Sequence, residues 1–231
     1  MFLPSVLECS EQVVEKKLEM VIEKIETVYS LLKIQKDIPL PFHLDFVLPQ
    51  FAKDRSVMKS LSPETILGIL EKFFSSQRLS LTIHLMGNVQ DIFESYKFFN
   101  DYSFNPNWQY LIFVDSNYFK SWVNSSFANL NLDNLDLGIW YDKGEWENLE
   151  SFNLNQELEI DCQNYLLMTV LAGKSGQKLT PQIKDLALQK TIQNPNKKFI
   201  LDGGWSVEEE ENISQNTEIV SYTSFWNQIS M

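Results

Sequence analysis

The chain has 231 residues, of which 44% are hydrophobic, enough for one large domain with a sizeable buried core. Its formal net charge of −12 argues against non-specific binding to nucleic acid or an anionic membrane, both of which need a basic surface. No stretch approaches the roughly 20 apolar residues of a membrane span, and the two cysteines, Cys9 and Cys162, form no CxxC pattern and predict no disulfide framework, which fits a reducing cytoplasm.

Phe2 to Leu7 reads as a first buried strand rather than a secretory leader. Helical periodicity follows from Glu11 to about Ile34, with Ser10 as its expected N-cap. Phe42 to Val47 is the second strand, and Ser62-Pro63 opens a helix with an apolar face from Ile66 to Phe74. Leu79 to Met86 is the third strand, Val89 to Phe99 a helix, Tyr110 to Val114 the fourth strand, and Tyr118 to about Leu130 a weak helix. Leu137 to Trp140 is the fifth strand, with a turn or two of helix expected over Glu145 to Leu149. Tyr165 to Val170 and Phe199 to Asp202 are the sixth and seventh strands, separated by a helix from Pro181 to about Ile192 that Thr180 caps. Ser206 to Glu209 reads as a capping box opening a short helix, Ile219 to Ser221 as an eighth strand, and Phe225 to Ile229 as a closing helical turn. Eight alternations in this length predict an α/β chain folded as a (β/α)₈ TIM barrel in a single domain over 1–231. A doubly wound open sheet is the competing architecture, but no GxGxxG follows the first strand.

The chemistry concentrates in a few residues. The chain has two histidines, His43 and His84, both within apolar strand candidates. Residues two apart on a strand share a face, so His43 and Asp45 project together while Phe42, Leu44 and Phe46 face the other way. Asp202 ends the seventh strand ahead of Gly203-Gly204. In a barrel these four side chains converge at the carboxyl ends of the strands and could surround one divalent ion. Mixed nitrogen and oxygen donors suit zinc, iron, manganese or cobalt better than calcium. A His-x-Asp pair can also be a structural hydrogen bond, and Asp-Gly-Gly can be turn chemistry.

His43-Leu44-Asp45, His84-Leu85-Met86, Leu167-Met168-Thr169-Val170 with Gly173 and Gly176-Gln177, and Leu201-Asp202-Gly203-Gly204 resemble, in order and approximate interval, the ribulose-phosphate 3-epimerase family. Pro4-Ser5-Val6-Leu7 resembles that family's opening strand. The resemblance implies a ribulose-phosphate-binding (β/α)₈ barrel that inverts carbon 3 of a ketopentose 5-phosphate through an enediolate. It implies one divalent metal ion on His43, Asp45, His84 and Asp202, with Asp45 and Asp202 as the acid/base pair. It places Met168 beside the substrate, and Gly173, Gly176, Gly203 and Gly204 in or near phosphate-binding loops. The expected partner is a small phosphorylated sugar, with no nucleic acid and no membrane; homo-oligomerisation is left open.

The chain also departs from the family pattern. Glu8 stands where the opening strand usually ends in serine, and Val47-Leu48-Pro49 replaces Met-Asp-Gly. The Asn-Pro-Gly-Phe-Gly-Gly-Gln loop is Leu171 to Gln177, which introduces Lys174, and the late Gly-Ser phosphate contact falls at about Tyr222-Thr223. A histidine expected late in the fourth strand is absent from Phe113-Val114-Asp115. Two alternatives follow: an epimerase acting on another phosphorylated ketose, and a non-catalytic metal-binding homologue. The tryptophans are expected in the core and barrel rim, and Glu208 to Glu211 as a solvated helical turn.

Overall fold

A computed structural model describes residues 2–6, 8, 10–101, 104–119, 135–149, 162–173, 177–206, 213–221 and 223–230. Eight parallel strands close into a barrel in sequence order, which makes the fold a (β/α)₈ TIM barrel. The strands are β1 (Phe2–Val6), β2 (Leu40–Val47), β3 (Leu79–Met86), β4 (Trp108–Asp115), β5 (Leu135–Tyr141), β6 (Asn164–Met168), β7 (Lys198–Asp202) and β8 (Thr217–Ser221). The described helices are α1 (Glu11–Glu23), α2 (Ile25–Leu31), α3 (Pro49–Arg55), α4 (Pro63–Phe74), α5 (Val89–Asp101), α6 (Pro181–Gln193) and α7 (Thr223–Ser230). A 3₁₀ turn covers Trp146–Asn148. No described helix is long and apolar enough to cross a membrane.

The strand alternation sorts side chains into two cores. Phe42, Leu44 and Phe46 of β2 face outward and pack with Val14, Leu18, Ile66 and Leu70 of the surrounding helices. The inward set, which includes Leu3, Val47, Met86, Phe113, Trp140, Leu166, Met168, Ile200 and Val220, fills the barrel. All eight residues of β2 are buried, as expected for a parallel strand covered on both faces. Gly138 on β5 is needed for space, because a Cβ there would lie 2.3 Å from the Phe113 ring.

The structure corrects four local expectations. The helix expected over Glu11 to Ile34 is two helices, broken at Lys24, which leaves helical geometry (φ −111°, ψ 27°). Its Nζ donates to Ile229 O of α7 at 2.8 Å, so the break joins the first and last helices of the ring. Ser10 is extended at the start of α1 but its hydroxyl makes no capping hydrogen bond, whereas Ser62 and Thr180 each accept from the expected backbone N–H. The sixth strand ends at Met168, and beyond it the Thr169 N–H and Oγ1 both donate to Asp202 O at 2.7 and 2.9 Å. Helix α3 was not expected at all. Most of the helix expected over Tyr118 to Leu130, Val207 to Glu209 of the capping box, the rest of the acidic run to Glu211, Cys9, Trp122 and Tyr222 lie outside the described residues. Cys162 is buried, as are Trp108, Trp140, Trp146, Trp205 and Trp226.

Candidate metal centre

The interior face at the carboxyl end of the barrel brings together the four residues singled out from the sequence. His43 and Asp45 come from β2, His84 from β3 and Asp202 from the last position of β7. Strand register does the alignment: Asp45 pairs with His84 across β2 and β3, and Ser5 pairs with His43 across β1 and β2. One donor atom from each of the four lies within 4.8 Å of every other. Their relative exposures are 0% for both histidines, 5% for Asp45 and 7% for Asp202, so water screens them little.

His43 Nε2 and His84 Nδ1 each lie 3.1 Å from Asp45 Oδ1. The same nitrogens lie 3.4 and 3.5 Å from Asp202 Oδ2. Ser5 donates its hydroxyl to the other oxygen of Asp45 at 2.8 Å. Burial opposes charge on His43, but the carboxylates of Asp45 and Asp202 prevail and raise it to about 10. His84 is also raised, against its burial, by hydrogen bonds and charge from the same two carboxylates. Burial would lift the Asp45 carboxyl, yet His43 and His84 hold it well below the usual carboxylate range.

The donor set fits a divalent cation on charge grounds. With neutral imidazoles, the two carboxylates put two negative charges into a dry space, which is costly unless compensated. Two imidazolium protons or one divalent ion supply the same compensation. The facing nitrogens are positioned for either role, as donors to the carboxylates or as ligands through their lone pairs. The second nitrogens, His43 Nδ1 and His84 Nε2, are buried and have no hydrogen-bond partner among the described residues. His43, Asp45, His84 and Asp202 could therefore hold a metal ion, and their nitrogen and oxygen donors suit a transition ion.

Several supporting residues were not evident from the sequence. Trp140 on β5 stands edge-on to the His84 ring, with centroids 4.7 Å apart, and anchors its own indole N–H on Leu85 O at 3.0 Å. Thr169 holds the backbone of Asp202 and accepts from Trp205 Nε1 at 3.0 Å. Helix α3 lies over the mouth: Phe51 and Ala52 join the interior core with Met86, Trp140, Met168 and Val170, and Phe51 packs edge-on to Trp140. A proline at the first helical position was a usable signal for α3, but the helix is only seven residues long.

The remaining predicted positions surround the same mouth. Met168 is buried in the interior core, directly below the turn that Thr169 makes. Gly173 has φ +80° and faces Val57 and Phe51, so the loop after β6 meets α3. Gln177 clamps that loop, accepting from Leu171 N and donating to Leu171 O. Gly203 and Gly204 have φ +106° and +79°, and a Cβ on Gly203 would lie 2.2 Å from Val170. Both the conformation and the close approach therefore require glycine there. Lys174 and Gly176 lie outside the described residues. Glu8 does not point a bare carboxylate at the site, because it is paired with Lys17 of α1, which lies over the Trp226 ring. A scan against protein-family models and a search of curated proteins both return no match.

Proposed function

We propose that this barrel is a metal-dependent epimerase that inverts carbon 3 of a ketopentose 5-phosphate, most directly ribulose 5-phosphate and xylulose 5-phosphate. The observation that carries the proposal is the buried pair of imidazoles and pair of carboxylates drawn from β2, β3 and β7. When bound, a divalent ion supplies Lewis-acid polarisation of the substrate ketone. The hydrogen on carbon 3 is acidic because it is α to that ketone. Inversion requires its removal on one face of the substrate and its return on the other. Asp45 and Asp202 come from strands on different sides of the barrel, which suits them to alternate as base and acid. Ser5 holds one oxygen of Asp45, leaving the other toward the histidines. Gly203 and Gly204 follow β7 at the same end of the barrel, in positive-φ conformations without side chains that would bar an anionic group from the backbone.

The test is turnover of purified, metal-supplemented protein with either pentulose 5-phosphate. Asp45→Asn and Asp202→Asn should each lose on the order of 10²–10⁴ in kcat, the usual contribution of positioned acid–base groups. Normal turnover in both variants would reject their roles. A panel of ketose phosphates distinguishes a pentulose from another phosphorylated ketose as substrate. The position of Phe51 over the site favours a second reading, a metal-binding barrel without turnover. That reading predicts bound metal with no exchange of substrate carbon hydrogen for solvent deuterium, and any exchange at carbon 3 excludes it.

A further inference from the structure

Helix α3 leaves the carboxyl end of β2, and its last residue, Arg55, reaches Asp142 just beyond β5. β2 and β5 are three strands apart in a ring of eight, so this ion pair, 2.7 Å between Nη2 and Oδ2, spans the barrel mouth. The carboxylate end is fixed: Asp142 is buried, and its Oδ1 accepts from Lys143 N at 2.8 Å. The guanidinium lies 5.2 Å over the Phe51 ring, Phe51 packs on Trp140, and Trp140 packs on His84. Arg55 thus sits at the rim, two aromatic rings from the metal centre. Its side chain is 44% exposed, and among the described residues its only ion-pair or hydrogen-bond partner is Asp142. The remaining N–H donors of a planar fork are therefore available to an incoming ligand.

The surrounding charge gives such a donor a purpose for an anionic substrate. The chain carries a net charge of −12, and Asp45, Asp115, Asp142, Glu145 and Asp202 all lie at or just beyond the carboxyl ends of the strands. An anion approaching that face needs a local cation. The chain's other arginine, Arg78, precedes β3 at the opposite end of the barrel and donates to Asp37 O. We propose that Arg55 is the residue that recognises the substrate's anionic group at the barrel mouth, held ready by Asp142. Identifying that group as the phosphate monoester of a ketose rests on the function proposed above.

The competing role is a structural latch, in which the ion pair only pins α3. The two roles predict different patterns across three variants of the full, metal-supplemented chain, titrated with inorganic phosphate and followed by ³¹P NMR. Recognition predicts that Arg55→Gln weakens phosphate binding on the order of tenfold or more, as expected for loss of charge-assisted hydrogen bonds. Arg55→Lys should retain part of the binding. Asp142→Asn breaks the same ion pair but frees the fork, so its binding should equal or exceed that of the parent. Equal weakening by Arg55→Gln and Asp142→Asn would overturn the proposal, as would phosphate binding that ignores Arg55. Arg55-dependent phosphate binding without turnover would reject the epimerase and leave this inference standing. Turnover with an unchanged KM in Arg55→Gln would do the reverse.

Discussion

Protons and a bound metal ion would compete for the same atoms in the cluster, and this would set opposite pH dependences for stability and for metal affinity. In metal-free protein, His43 is raised from 6.5 to about 10, so the folded state holds that proton more tightly than the unfolded chain. Its contribution to stability is complete below about pH 6.5 and is lost as pH rises toward 10. Asp45 is depressed below 3.8, so its contribution is present above that pH and lost as acid protonates it. Chelator-treated protein should therefore have its highest Tm between about pH 4 and 6.5, with a decline toward pH 10. Metal affinity should climb across the alkaline part of that range, because binding must expel the imidazole protons. Thermal unfolding in chelator across pH 4–10 checks the first statement, and a flat profile above pH 6.5 would remove the assigned charge state of His43. The i, i+2 spacing made His43 and Asp45 legible from the sequence, because strand periodicity alone puts them on one face. Ser5 was not, since a hydroxyl in an apolar strand gains its meaning only once the register sets it beside His43.

Element by element, the alternation of strands and helices was readable because most segments carry their own signals. β3 begins and ends at the residues expected, and α4 is capped by its own Ser62. Helix α3 follows a different logic. Its N-cap residue, Leu48, offers no side-chain acceptor, and the cap comes instead from Asp91, which lies 40 residues beyond Phe51 in the chain. The Asp91 carboxylate accepts from Gln50 N at 3.0 Å, Phe51 N at 3.1 Å and Asn88 N at 3.4 Å, so one buried side chain joins α3 to the start of α5. Apart from Pro49 at the first helical position, local pattern holds no mark of a terminus that is satisfied by tertiary contact. The break at Lys24 was hidden because no glycine or proline marks it in the sequence. Asp91→Ala should destabilise the fold by about 1–3 kcal/mol, the cost of leaving such donors unsatisfied. Hydrogen exchange should show lost protection concentrated at the amides of Gln50 and Phe51. Unchanged protection there would mean that α3 is held over the mouth by Phe51 packing and the Arg55–Asp142 pair alone.

At the scale of the molecule, the two ends of the barrel interior are built for different solvents. The amino end opens on a cavity of about 800 Å³ lined by Ser80, Gln109, Asp136, Asn164, Lys198 and Glu218 among others, where water can satisfy polar groups. The carboxyl end is covered by α3 and holds its four polar ligands at no more than 7% exposure. Charges interact more strongly where water is excluded, so a cation at that end would be held by protein rather than by solvent. Its position also matters mechanically. The ligands come from β2 and β3 on one side and β7 on the other, and β3 and β7 are four strands apart in the ring. One ion would tie opposite walls of the barrel together, and its binding energy would become folding energy. At a free metal concentration 100 times Kd, linkage gives about 2.7 kcal/mol. For a chain of this size each kcal/mol moves Tm by roughly 2–4 °C. Metal-supplemented protein should thus melt roughly 5–11 °C above chelated protein. Asp202→Asn cuts the ligand set on the β7 side and should lose most of that increment, whereas Arg55→Gln should keep it. An increment undiminished in Asp202→Asn would show that the ion does not bridge the barrel, whatever its affinity for the His43-Asp45-His84 wall.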